Sequence, residues 1–286
     1  MVYNFAKNFG IKNAPTWCPG CGNFAIQAAT KNALVSEGFN PHNTVFVFDV
    51  GCSGNGADKI EANTVHGLHG RAISLAAGVA IANPKMKIIA SSGDGATFSE
   101  GPGHLIHAIR NNYPMVFMLH NNENYGLTTG QASALTPKGA KMNASPDGVY
   151  LEPINALQFV LSLNPSFVAR TFSSDIPHMT VIFKEAIKHD GFAFVEILQT
   201  CPTYNKATPD AWYKERVKKI EDLKDYDPSD IWAARKLAED MEKDVYLGIF
   251  YKDTSRESFL KMIPNRKNTT TSLIEEVKNY DVKQFL

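Results

Sequence analysis

Apolar residues recur along this chain with two periods that alternate. Continuous or every-other apolar runs at 44–50 (TVFVFDV), 86–92, 115–120 (MVFMLH), 166–170 and 192–198 predict buried strands of the kind a parallel sheet needs. Between them, Phe24, Ile26, Ala28, Ala29, Leu34 and Val35, followed by Gly38, predict a helix over 21–37. Stretches 72–82, 100–112, 155–163 and 177–189 predict four more, the last opened by Pro177. Strand and helix in alternation predict an α/β fold, a doubly wound and mostly parallel sheet. Residues 132–153 carry neither period, and loops of that length in a domain are usually functional or ordered by a partner. Beyond residue 206 the rhythm gives way to Lys, Glu and Asp. Residues 1–206 are therefore read as the site-bearing domain and 207–286 as a helical and irregular extension that covers a partner.

Charge and cysteine content narrow the function classes. Formal net charge is zero over 286 residues, giving no electrostatic case for nucleic acid or an anionic membrane surface. Polar and charged residues are interspersed through the first ten positions and no apolar run reaches the length of a membrane span, so a cytoplasmic protein is expected. In that compartment a Cys-x-x-Cys pair points to metal or redox chemistry rather than a disulfide. The four cysteines, Cys18, Cys21, Cys52 and Cys201, match the ligand number of one Zn2+ or one Fe4S4 cluster. Cys18 and Cys21 precede a helix, while Cys52 and Cys201 each follow a predicted strand, so all four can converge at one end of the sheet. On residue types alone zinc is the commoner answer.

The stretch 88–131 carries the sharper chemistry. Its first apolar run ends in Gly93-Asp94-Gly95 and, twenty-five residues later, its second ends in Asn121-Asn122. Asp94 and Asn122 would stand just past neighbouring strand tips, where ligands bind in open α/β sheets. A carboxylate and an amide oxygen are hard donors suited to Mg2+, which keeps waters and diphosphate oxygens as its other ligands. Glycines beside Asp94 allow the backbone to approach those phosphates. The plain alternative is a strand-turn-helix-strand unit with polar loop residues. His66 and His69 lie in a glycine-rich turn before a helix, a setting suited to a phosphate, with His66 read as structural; Arg71 suits a phosphate, a carboxylate or a structural salt bridge. His104 and His107, one helical turn apart, are read as ordinary surface histidines.

Gly93-Asp94-Gly95 followed by Asn121-Asn122 resembles the thiamine-diphosphate motif of thiamine-dependent enzymes. With Trp17-Cys18-Pro19-Gly20-Cys21, His66-Gly67-Leu68-His69-Gly70-Arg71 and Asn124-Tyr125-Gly126-Leu127-Thr128-Thr129-Gly130-Gln131, residues 14–206 resemble the β subunit of 2-oxoacid:ferredoxin oxidoreductases, particularly the 2-oxoglutarate type. The resemblance implies the pyrophosphate-type domain of the thiamine-diphosphate-binding fold. It implies cofactor contacts from Val50, Gly51, Cys52, Ser53, His69, Gly95, Ala96, Gly126 and Leu127. It implies Mg2+ on the side chains of Asp94 and Asn122 and the backbone carbonyl of Asn124, and one [4Fe-4S] cluster on Cys18, Cys21, Cys52 and Cys201. His69 and Thr129 are the residues it places at the reaction. Some members carry Lys where Thr129 stands, so a cation that assists substrate or coenzyme A recognition is replaced by a hydroxyl. The implied reaction is oxidative decarboxylation of 2-oxoglutarate to succinyl-CoA, or its reverse, with electrons passed to ferredoxin. Pyruvate, a broader 2-oxoacid range, a non-redox thiamine decarboxylase and a zinc-stabilised binding module are the alternatives. An α subunit would supply the pyrimidine-binding domain in an (αβ)2 assembly.

Overall fold

Strands β1 (Thr44–Phe48), β2 (Asn63–His66), β3 (Lys87–Gly93), β4 (Met115–Asn121), β5 (Phe167–Phe172), β6 (Phe192–Leu198), β7 (Val217–Lys219) and β8 (Val245–Lys252) form one sheet. Their order is β2-β1-β3-β4-β6-β5-β8-β7. The first six are mutually parallel, whereas β8 runs antiparallel to β5. This computed structural model describes residues 9–239, 243–269, 271–278, 280, 281 and 283.

The continuous apolar runs are explained by cover on both faces. Val45 and Val47 of β1 point into one core and Phe46 and Phe48 into the other, the two-residue period of a pleated strand. The core that takes Phe46 and Phe48 is closed by helices α1 (Asn23–Ser36) and α5 (Ile176–Lys188), through residues such as Leu34 and Phe183. The other is closed by α2 (Ala72–Ala82), α3 (Pro102–Asn111) and α4 (Ala156–Ser162), through Ala76, Leu105 and Leu157. Each such Leu or Phe, fully buried, contributes roughly 1.5–3 kcal/mol. From β1 the chain runs outward to β2, then returns to place β3 on the other side of β1. The crevice between the β1 and β3 tips is therefore the topological switch point, where open α/β sheets bind ligands.

Three local features depart from the sequence pattern. Residues 63–66, to which the sequence pattern assigns no element, form a short, mostly exposed edge strand on β1. After Asp94 the chain first winds through a π-helical turn, Gly95–Glu100, so α3 starts at Pro102 rather than at Glu100. The extension expected to be helical and irregular contributes β7 and β8, and Phe250 of β8 joins the second core. Residues 132–153 hold turns and one isolated bridge, Met142 with Ser145, as expected of an irregular stretch. No helix among the described residues is long and apolar enough to cross a membrane.

Candidate functional site

Two buried carboxylates at the switch point set the site's geometry. Asp49, just past β1, accepts from the backbone N–H of Val50 and Gly70, both at 2.8 Å, through Oδ1 and from that of Ala72, at 3.1 Å, through Oδ2. One side chain thus ties the 50–53 turn to the His69-Gly70 loop and caps the start of α2, whose orphan N–H groups need an acceptor. Asp94, just past β3, is equally buried, but its Oδ2 is held by the Ser133 hydroxyl. Burial pushes the Asp94 carboxyl up to about 7, against the opposing pull of Ser133 and the Asp94 and Asn122 backbone amides.

The β4 tip adds amide oxygens. Asn122 Oδ1 accepts from Asn124 N at 3.2 Å, Asn124 Nδ2 donates to Asn122 O at 2.7 Å, and Asn124 Oδ1 is buried without a partner. Between them Glu123 takes a left-handed backbone, φ 57°. That conformation is held from both ends: Thr136 Oγ1 donates to the Glu123 carbonyl at 2.6 Å, while Thr208 Oγ1 and Asn205 Nδ2 donate to its carboxylate at 2.6 and 3.1 Å. Burial raises the Glu123 pKa. Asn205 Nδ2 also reaches Asn122 O, at 3.1 Å, so residues beyond Cys201 brace the tip.

Two glycines permit close approach. A Cβ on Gly95 would stand 2.4 Å from the Tyr125 ring, so only Gly lets that ring close over the π turn. A Cβ on Gly126 would stand 3.3 Å from Cys52 Sγ and 3.8 Å from Cys201 Sγ, which places this backbone beside both sulfurs. All four cysteines are free thiols. Cys52 is pushed up to about 12, by burial first and then by the neighbouring Cys21, Cys201 and Cys18; burial also raises Cys21. Among the described residues no three His, Cys, Asp or Glu side chains gather tightly enough to hold a single metal ion.

One cleft is lined by Val50, Gly51, Cys52 and Ser53, by His69, by Gly95 and Ala96, by Gly126 and Leu127, and by Asp94, Asn122 and Asn124. Cys18, Cys21 and Cys201 are not among its lining residues, and neither is Thr129, which is exposed, at φ 78°, with its carbonyl held by Asn143 Nδ2, while Thr128 lines the cleft. His69 Nδ1 lies 2.9 Å from Glu100 Oε2 but off the hydrogen-bond axis. His66 faces the Asp49 carbonyl at 3.2 Å, consistent with a structural role. Arg71 donates to the backbone carbonyls of Gly70 and Glu100, both at 3.2 Å. Sequence reasoning missed Ser133, Glu123, His120 and Gln199. Ser133 lies in an irregular loop, and Glu123 carries no spacing of its own. His120 closes one predicted strand and Gln199 lies directly beyond another, and that location was the one available signal.

Residues 49–197 match the family model of the C-terminal TPP binding domain of thiamine pyrophosphate enzymes. The β subunit of a 2-oxoacid:ferredoxin oxidoreductase from Saccharolobus solfataricus is 35% identical over 281 residues, 94% of this chain and 91% of that one. The chain belongs to the 2-oxoacid:ferredoxin oxidoreductase β subunits. A Sulfolobus sp β subunit of the same name is 41% identical over 214 residues, 74% of this chain and 70% of that one. The solved structure of a 2-oxoglutarate:ferredoxin oxidoreductase from Magnetococcus marinus, with 2-oxoglutarate, coenzyme A and succinyl-CoA bound, superposes with a TM-score of 0.85 at 28% identity, covering 99% of this chain and 95% of that one. Residues 201–268 match the C-terminal model of pyruvate ferredoxin oxidoreductase β subunits, so Asn205, Thr208 and strand β8 lie in a region the family shares. As a member, this β subunit is part of a thiamine-pyrophosphate-dependent oxidoreductase.

Proposed function

We propose that this β subunit serves the coenzyme A-dependent oxidative decarboxylation of 2-oxoglutarate to succinyl-CoA, and its reductive reverse, with electrons leaving through one [4Fe-4S] cluster to ferredoxin. The observation that carries the reading is the meeting, in one cleft, of Asp94, Asn122 and Asn124 with Cys52 of the four-thiol set. The polar groups fit a Mg2+-diphosphate: a buried carboxyl pushed up to about 7 lacks a cation, and Asn124 Oδ1 and Ser53 Oγ are buried without partners. Asp94 and Asn122 would hold Mg2+ through side-chain oxygens and Asn124 through its carbonyl, with the 50–53 turn, His69, Gly95, Ala96, Gly126 and Leu127 against the thiamine diphosphate. The four free, mutually close thiols fit the cluster in donor chemistry and number.

Bound thiamine diphosphate supplies the electron sink for decarboxylation, and the cluster supplies a one-electron acceptor beside it. The chain itself orients and excludes. Asp49 fixes the turn and loop on one wall, and Ser133 holds the Asp94 carboxyl on the other. Tyr125, its hydroxyl 3.3 Å from Glu100 Oε1, closes over the π turn. Thr129, exposed beside exposed Leu127, would face an α subunit and contribute to substrate choice from the rim. That subunit would supply the pyrimidine-binding domain in a cytoplasmic (αβ)2 assembly, with 207–286 packing partly on it. The substrate is favoured by the 2-oxoglutarate and succinyl-CoA in the Magnetococcus marinus structure.

Anaerobic purification with the α subunit tests the reading. Brown protein with about four irons per β chain is expected, together with 2-oxoglutarate- and coenzyme A-dependent viologen reduction. Asp94→Ala should abolish Mg2+-dependent thiamine diphosphate binding. Colourless protein with one zinc, or an Asp94→Ala variant that still binds the cofactor, overturns it.

A further inference from the structure

Gln199 leaves the tip of β6 with its backbone N–H on Asn121 O, at 2.8 Å, and its side chain buried to within 2%. Its carboxamide spans two groups: Oε1 lies 3.1 Å from His120 Nδ1, and Nε2 lies 3.5 Å from Cys21 Sγ. The contacts of the His120 ring set the tautomer that accompanies this orientation. Nδ1 looks at two oxygens, Gln199 Oε1 and Asn23 Oδ1 at 2.9 Å, whereas Nε2 faces the Ser91 hydroxyl at 2.7 Å. A neutral imidazole with its proton on Nδ1, shared between the two oxygens, fits these contacts, with Ser91 donating to Nε2. Reversing the carboxamide would set its NH2 against the Nδ1 proton and its oxygen against the sulfur of Cys21. The relay Ser91, His120, Gln199 therefore aims an N–H at one thiol of the four-cysteine set from inside the protein, and both His120 and Gln199 also line the cofactor cleft.

We propose that Gln199 is a positioning residue that sets the reduction potential of the cluster held by Cys21, its N–H···S bond kept in place by the His120–Ser91 pair. The inference rests on the cluster reading given under Proposed function. A hydrogen bond to a ligand sulfur stabilises the more negative, reduced cluster and raises its potential. The carboxamide cannot turn away in exchange for water, because both its ends are engaged and the residue is closed off from solvent. The potential is thus built into the sheet edge that also walls the cofactor cleft.

The test is a reductive titration of the anaerobically purified αβ complex, followed by the electron paramagnetic resonance of the reduced cluster. Gln199→Leu keeps the volume and removes the donor. The expected result is a drop of about tenfold in the reduced-to-oxidised ratio at a fixed potential, equivalent to about 59 mV for one electron, with iron content unchanged. Ser91→Ala leaves Gln199 and every cysteine in place but frees the His120 tautomer; a smaller shift in the same direction is expected. It also carries the test if Gln199→Leu fails to retain iron. Variants that keep their iron and titrate at the wild-type potential overturn the assignment of Gln199 alone. Wild-type protein without a four-iron cluster overturns the functional reading and this inference with it.

Discussion

Asp49 and Asp94 occupy equivalent places, one residue past neighbouring parallel strands, and both are 1% exposed. Their surroundings differ in kind. Three backbone amides converge on Asp49, so its charge is answered by the fold itself. Asp94 has the Ser133 hydroxyl and, more weakly, the backbone amides of Asp94 and Asn122, and burial still pushes its carboxyl up to about 7. A buried carboxylate whose acceptor capacity is filled by backbone belongs to architecture. One left short of positive charge at a cleft belongs to ligand chemistry. The difference separates two aspartates that position, burial and strand context would treat alike.

Removing Asp49 should have the largest effect on stability. Asp49→Ala strands three N–H groups, each buried amide without a partner costing about 1–3 kcal/mol, so a loss of about 5 kcal/mol is expected. The 50–53 turn and the His69 loop should loosen together. Thermal unfolding of the metal-free protein checks this, and a variant that melts with wild type would erase the distinction drawn between the two sites.

Asp94→Asn should act in the opposite sense on the metal-free protein. With a folded value of about 7 and an unfolded value of about 3.9, the unfolded chain releases its proton while the folded one still holds it. Stability contributed by the protonated carboxyl is full below about pH 4, declines as pH rises, and is gone above about 7. The whole swing is about 2–4 kcal/mol. Asn carries no such charge, so the variant should lose this slope and exceed wild type above pH 7. Denaturant unfolding across pH 4 to 8 without Mg2+ measures it. Parallel curves for the two proteins would mean that Asp94 is as well compensated as Asp49.

Much of this was legible in the chain. The parallel sheet followed from apolar runs such as TVFVFDV and FAFVEIL, Asp94, Asn122, Cys52 and Cys201 stood out by their placement after such runs, and Cys18 and Cys21 by their Cys-x-x-Cys spacing ahead of a helix. Strand β8 was not, although VYLGIFYK is apolar enough, because charged flanks dominate the composition of the extension and mask one short run. The braces were hidden for a different reason. Ser133, Asn205 and Thr208 act across 39, 83 and 85 residues of sequence, and no local period reports a contact of that separation. Thr129 was placed at the chemistry by its motif, yet a left-handed backbone turns it outward and leaves Thr128 on the cleft.

The smallest effect should come from Ser133→Ala, which leaves both carboxylates in place and moves Asp94 further from Asp49 in character. The Ser133 hydroxyl is the largest influence holding the Asp94 pKa down, so its loss should raise that pKa beyond about 7. A proton then competes with Mg2+ at neutral pH. Thiamine diphosphate and Mg2+ should bind several-fold more weakly than to wild type at pH 7, an affinity cost of about 1 kcal/mol for one lost hydrogen bond, and the gap should close near pH 8.5, where the carboxyl is ionised in both proteins. Calorimetric titration at the two pH values separates this from simple damage to the loop, for a distorted loop would weaken binding equally at both. Because Ser133 also accepts from Leu135 N, at 3.2 Å, a small pH-independent loss is expected on top. Only the pH-dependent part reports on Asp94.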